Sequence, residues 1–287
     1  MDKQIVLKSG DYTATIKYFG AELCSLKHGP SQTEFLWQAD KSIWPRHSPL
    51  LFPFVGRLKN FEYTHNGKQY SIEQHGFARD SQFTLIEQKE DSVVFQLLDN
   101  LYTHSRYPFQ FSLKMRYQLT ANVLRTEFEI SNAGSQIMPV SFGGHPAFAI
   151  NDPTDAYIVF DKDLDPLSWQ LDENFISDTQ IPATNGRGQI DVDEHTFKAD
   201  AMVFKHLESN WISLRSHTST RQVNVEIKGW PYLGLWAKAA AKFICIEPWQ
   251  GIADAANFEG DVSQKEGIIM LPPLNTITKG FNIEVKL

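Results

Sequence analysis

Glu247 closes the apolar run FICIE, residues 243–247, and is followed at once by Pro248 and Trp249. In an extended strand Phe243, Cys245 and Glu247 project from one face, with Ile244 and Ile246 on the other. A carboxylate carried into apolar surroundings is costly unless it has a partner or a task. At a strand end beside an aromatic ring it serves either as a general base or as half of a rim salt bridge. Pro248 has no N–H to offer a central ladder, so the strand is expected to leave the sheet there.

His145 is the second chemically suggestive residue. It stands in SFGGHPAF, residues 141–148, behind Gly143 and Gly144 and directly before Pro146. Without Cβ atoms the two glycines let the backbone bend sharply or let a ligand approach closely. The proline restricts His145 to extended angles, so its ring projects in a defined direction. Imidazole exchanges protons near neutrality and suits a general acid, although a core histidine bonded to a carbonyl fits the same pattern.

Four further polar residues interrupt or border apolar segments. His75 and Arg79 fall in QHGFARD, residues 74–80, and Arg57 follows the apolar run FPFVG. A guanidinium fork matches neighbouring oxygens on a sugar or a phosphate, and equally a carboxylate. Asp200, in FKADAMVF, reads by itself as a strand-entry aspartate. Other motifs fail on inspection. DKDLDP places Asp161, Asp163 and Asp165 at calcium-loop spacing, but Pro166 stands where that loop needs glycine and Asp172 where it needs glutamate. No HExxH, Gly-x-Ser-x-Gly, P-loop or GxGxxG occurs. The seven tryptophans are scattered, which suits core positions, with one or two available to stack on a sugar.

The elements that must hold these residues are strands. Phe111, Leu113, Met115, Tyr117 and Leu119 share one face of a segment whose other face carries Lys114, Arg116 and Gln118. Beyond Thr120-Ala121-Asn122 the alternation resumes with Leu124, Thr126, Phe128 and Ile130, predicting a hairpin. Asn66-Gly67 predicts a second with a type I′ turn, and Lys89-Glu90-Asp91 a third. Further strands are expected at AYIVF, AMVFKH, WISLRS, QVNVEIK, LGLWAK, FICIE and FNIEVKL. Helical signal is confined to AKAAAKF, residues 237–243, which is too short to stand alone. Two antiparallel sheets packed face to face follow: an all-β sandwich, one domain over residues 1–287. The net charge of −7 argues against nucleic acid, and no apolar run is long enough for a membrane. The opening MDKQIVLKSGD lacks a signal-peptide core, and Cys24 and Cys245 sit in apolar strands as buried free thiols. A cytoplasmic location is expected.

Taken in order, FPFVGRL, QHGFARD, SFGGHPAF, KADAMVF and FICIEPWQG resemble the aldose 1-epimerase (galactose mutarotase-like) family from about Tyr12 to the C-terminus. The HGFAR and IEPW wording is closer to its branch of LacX-like and hexose-6-phosphate epimerase proteins than to galactose mutarotase itself. GGHP and IEPWQG are the most specific parts; Arg57 and Asp200 rest on weaker local matches. The resemblance implies a β-supersandwich with a sugar site on its concave sheet and no metal or other cofactor. It implies Glu247 as base, His145 as acid, and Arg57, His75 and Asp200 as ligands of a small-molecule sugar, with Gly143 and Gly144 making room for it. Arg79 is an added cation that could hold a phosphate, so the substrate is a hexose or a hexose phosphate, the free aldose being favoured. A non-catalytic carbohydrate-binding protein, a cupin-type metal enzyme using His75, His145 and Glu247, and a glycoside hydrolase pairing Glu247 with Asp200 are the rival readings.

Overall fold

The computed structural model describes residues 3–184, 186–239 and 241–287. Period-two alternation produces the strands where it predicts them. Phe111–Thr120 pairs with Val123–Asn132, every odd residue of the first from Phe111 to Leu119 being buried. The turn is tighter than three residues: Thr120 already faces Val123, and Ala121 takes a φ of 49°. Asn66 and Gly67 adopt φ of 50° and 74° between Glu62–His65 and Lys68–Ser71, as a type I′ turn requires.

Two large antiparallel sheets carry the architecture. In the nine-stranded sheet the order is Gln189–Asp191, Ala156–Phe160, Trp211–Ser216, Gln222–Glu226, Thr276–Lys286, Val123–Asn132, Phe111–Thr120, Ser92–Leu98 and Thr84–Gln88. The eight-stranded sheet runs Phe175–Pro182, Leu167–Asp172, Met202–Lys205, Tyr232–Trp236, Phe243–Gln250, Phe142–Gly144 and Leu50–Leu51, with Ala147–Ala149 also on Phe243–Gln250. One apolar core lies between them, taking Leu113, Phe128 and Ile130 from one sheet and Phe142, Leu235, Ile244 and Ile246 from the other. The Phe128 and Phe142 rings meet across it at 5.3 Å, and Phe160 and Phe204 at 5.2 Å. A four-stranded sheet, from Gln4–Ser9 to Thr33–Glu34, adds Leu7, Ile16 and Leu26 to the same core.

Among the described residues of 237–243 no helix forms; they cross between Tyr232–Trp236 and Phe243–Gln250 as coil and turn, and Ala240 lies outside the described residues. Asp161 and Asp163 accept backbone N–H groups of residues 208–211, a loop-fastening role. Cys24 and Cys245 are buried and unpaired. Among the described residues no helix is long and apolar enough to cross a membrane.

Candidate active site

The Phe243–Gln250 strand sorts its side chains as the sequence predicts. Ile244 and Ile246 enter the core between the sheets, while Phe243 and Cys245 join a cluster on the opposite face with Trp37, Trp44 and Trp236. Glu247 shares that outer face and is 1% exposed. The strand does not end at Pro248, which stays paired with Leu233 inside the sheet. On its other side the neighbour is broken: Ala147–Ala149 pairs with residues 243–245, and Phe142 and Gly143 with residues 249 and 250. Ile246 N–H points to that side, donating to Pro146 O at 3.2 Å. Residue 248, two positions on, therefore turns its missing N–H toward the break, where no ladder needs it.

His145 fills that break. Its Nε2 lies 3.3 Å from Glu247 Oε2, and its side chain is only 10% exposed. Trp44 stacks on the imidazole at 5.1 Å, while Trp236 and His75 stand edge-on at 5.8 and 5.7 Å. The two glycines before it serve the protein rather than a ligand. A Cβ on Gly143 would sit 2.7 Å from Pro248 O and Trp249 Cδ1, and one on Gly144 would sit 2.7 Å from Phe281 Cζ of the opposite sheet. Neither glycine lines the cavity, so the expectation that they make room for a sugar is corrected: they let the strands and the two sheets close on one another.

A cavity of about 250 Å³ opens over this pair. All six residues singled out in the sequence line it: Arg57, His75, Arg79, His145, Asp200 and Glu247. Trp44, Trp236 and Trp249 line it too, so three of the scattered tryptophans converge on one site. Gln74 and Asn174 were also missed; each is an ordinary loop residue in the sequence, with no local signal. His75 and Asp200 hold left-handed φ of 67° and 77°, conformations that cost a non-glycine residue energy and gather at functional sites. His75 Nδ1 accepts the Gly56 N–H at 3.1 Å, so the neutral ring carries its proton on Nε2, which lies 3.3 Å from the Gln74 side-chain amide. Arg57 donates to Glu173 O at 3.2 Å and lies against the Phe61 and Phe175 rings. Arg79 donates to Gln74 O at 2.6 Å and reaches Asp80 at 3.6 Å, and Arg46 also pairs with Asp80.

Seven buried side-chain atoms lack a hydrogen-bond partner among the described residues, and five belong to this cavity: Arg57 Nε, Arg79 Nε, His145 Nδ1, Glu247 Oε2 and Trp249 Nε1. Native proteins rarely leave such groups unmet, so their concentration here marks a place for a polar ligand. Burial pushes the Glu247 carboxyl well above the ordinary range against the lowering pull of the nearby Trp249 N–H, and Asp200 adds to the rise. Burial lowers His145 to about 3, helped by the Arg79 charge. His75 is held well below its usual value by burial and by Arg79. Among the described residues the potential ligand atoms that cluster within 4.8 Å of one another belong to His145, Cys245 and Glu247, a set that does not include the His75 of the cupin-type reading.

The family model for aldose 1-epimerase matches residues 3–269. This chain belongs to the aldose 1-epimerase family. Protein LacX of Lactococcus lactis is 30% identical over 98% of this chain and 99% of its own length. A galactose mutarotase related enzyme from Lactobacillus acidophilus superimposes with a TM-score of 0.95 at 33% identity, covering 99% of this chain and 98% of that one. A galactose mutarotase-like protein from Lactobacillus casei gives 0.94 at 27% identity over 99% and 100% of the two chains. The all-β sandwich expected from strand periodicity is thus the galactose mutarotase-like fold, as these neighbours share it across their full length.

Proposed function

We propose that this member of the aldose 1-epimerase family is a mutarotase, interconverting the α and β anomers of a hexose by acid–base ring opening. The observation that carries the reading is the 3.3 Å approach of Glu247 Oε2 to His145 Nε2 at the floor of a small cavity. Glu247 takes the proton of the anomeric hydroxyl while His145 gives one to the ring oxygen. The C1–O5 bond opens, the aldehyde turns about C1–C2, and closure on the other face returns both protons by the reverse path. Each positioned acid or base typically contributes ~10²–10⁴-fold.

The other residues hold the sugar. His75 donates from Nε2 to a sugar oxygen, Arg57 bridges hydroxyls and Asp200 accepts from them. The substrate we favour is a free aldose such as galactose or glucose. Arg79 gives one N–H to Gln74 O, and Asp80 at 3.6 Å counters its charge, which supports a neutral substrate over a hexose 6-phosphate. The reading uses no metal or other cofactor.

Polarimetry of freshly dissolved α-galactose, α-glucose and their 6-phosphates tests it. The wild-type protein should accelerate equilibration of a free hexose, and Glu247→Gln should lose at least ~100-fold of that acceleration while still binding the sugar. Sugar binding with no acceleration on any of the four would leave a carbohydrate-binding protein instead.

A further inference from the structure

Cys245 carries a buried free thiol that the proposed reaction does not use. It precedes Glu247 by two residues, shares its face of the strand and is fully buried. Its sulfur, one ring nitrogen of His145 and one carboxylate oxygen of Glu247 all lie within 4.8 Å of one another. Two ligands held ~2.0–2.1 Å from one tetrahedral zinc ion are ~3.3 Å apart. That is the separation of His145 Nε2 and Glu247 Oε2, which are 3.3 Å apart and span one edge of such a polyhedron. Among the described residues the contact of Glu247 Oε2 with His145 Nε2 is a 3.3 Å approach, with no hydrogen bond satisfying that buried oxygen. A thiolate and a carboxylate together cancel the two charges of a divalent ion, leaving the buried site neutral, the condition under which low-dielectric surroundings tolerate it.

We infer that His145, Cys245 and Glu247 form a three-ligand site for a soft divalent cation of the Zn²⁺ or Cd²⁺ class, its fourth position open to the cavity. Sulfur and imidazole donors select such ions over Mg²⁺ and Ca²⁺. Binding is ligand exchange without redox change: the thiol proton and the proton carried by the Glu247–His145 pair leave to water as three protein donors replace metal-bound waters. Resting on the acid–base reading, the consequence is inhibition, because the ion occupies both reacting groups.

Titration of the folded protein with Cd²⁺, followed by thiolate-to-cadmium charge-transfer absorption, tests the site directly. One equivalent should bind with a thiolate signature that Cys24→Ala keeps. Cys245→Ala should lose the signature and weaken binding at least ~10-fold, and Glu247→Gln should weaken it as well. A signature surviving Cys245→Ala, or cadmium uptake without one, overturns the site. If Cys245→Ala misfolds by circular dichroism, Cys245→Ser, which keeps the side-chain size, is tested by loss of the same thiolate band. Polarimetry in parallel separates the two ideas: cadmium bound at Cys245 with undiminished mutarotation would sink the acid–base reading and leave the metal site standing.

Discussion

Burial opposes the charged form of Glu247 and of His145 alike, so near neutrality the resting pair is a carboxylic acid beside a neutral imidazole, its one titratable proton on Glu247. The proposed ring opening therefore begins with transfer of that proton across the 3.3 Å gap to His145, which frees Glu247 to act as base. The signs of the two linkages differ. His145 is depressed from 6.5 to about 3, so its contribution to stability is full above pH 6.5 and is lost as pH falls toward 3. Glu247 is raised above 4.5, so its contribution is full below pH 4.5 and is lost as pH rises through its folded value. Glu247→Gln removes the second effect. Its thermal stability relative to wild type should therefore climb as pH increases above 4.5; melts between pH 4.5 and 8.5 giving a constant difference would show that Glu247 does not titrate. The proposed pair stood out in the sequence because a carboxylate or an imidazole inside an apolar β segment is conspicuous, while its roles came from the family resemblance. Trp44 and Trp236 did not stand out, since 192 positions separate residues that the fold sets on one imidazole ring. Gly144 was misread for a related reason: its constraint comes from Phe281, a residue of the other sheet.

At the level of elements, the wall of the cavity that carries Arg57 is fastened by a buried ion pair. Lys265 Nζ meets Asp254 Oδ1 at 2.7 Å, with the two side chains 2% and 4% exposed. Asp254 Oδ2 accepts the Lys59 N–H, its own N–H donates to Arg57 O, and its carbonyl accepts from Ile176 N–H. One aspartate thus ties the segment bearing Arg57 to Ile176 on the neighbouring edge of the site. Lys265→Met leaves that carboxylate buried and unpaired and should cost ~3–5 kcal/mol in urea unfolding. Adding Asp254→Asn should recover a large part of the loss; no recovery would show that the lysine acts through packing alone. Nothing local announces this pair, because a lysine in SQKEG and an aspartate in IADAA read as solvated loop charges. The strands, by contrast, are written in the period of their own side chains.

Across the whole molecule the two large sheets share one core, from Leu113 and Phe128 to Phe142 and Ile246. That continuity predicts a single calorimetric transition, with Phe142→Ala lowering stability by ~3–5 kcal/mol for activity and structure signals together. Two transitions in the wild-type scan would show that the sheets melt separately. Periodicity made the sheet class legible but not the strand order: Thr276–Lys286 inserts between Gln222–Glu226 and Val123–Asn132, a pairing that spans more than half the chain. The interrupted strand beside Pro248 has a wider meaning for how such a scaffold acquires chemistry. Residues 142–144 and 147–149 are clamped by ladders on both flanks of His145, so the path of the main chain there owes nothing to the imidazole. Position 145 is a tool socket: evolution or an engineer can exchange what it holds without rerouting the polypeptide that presents it.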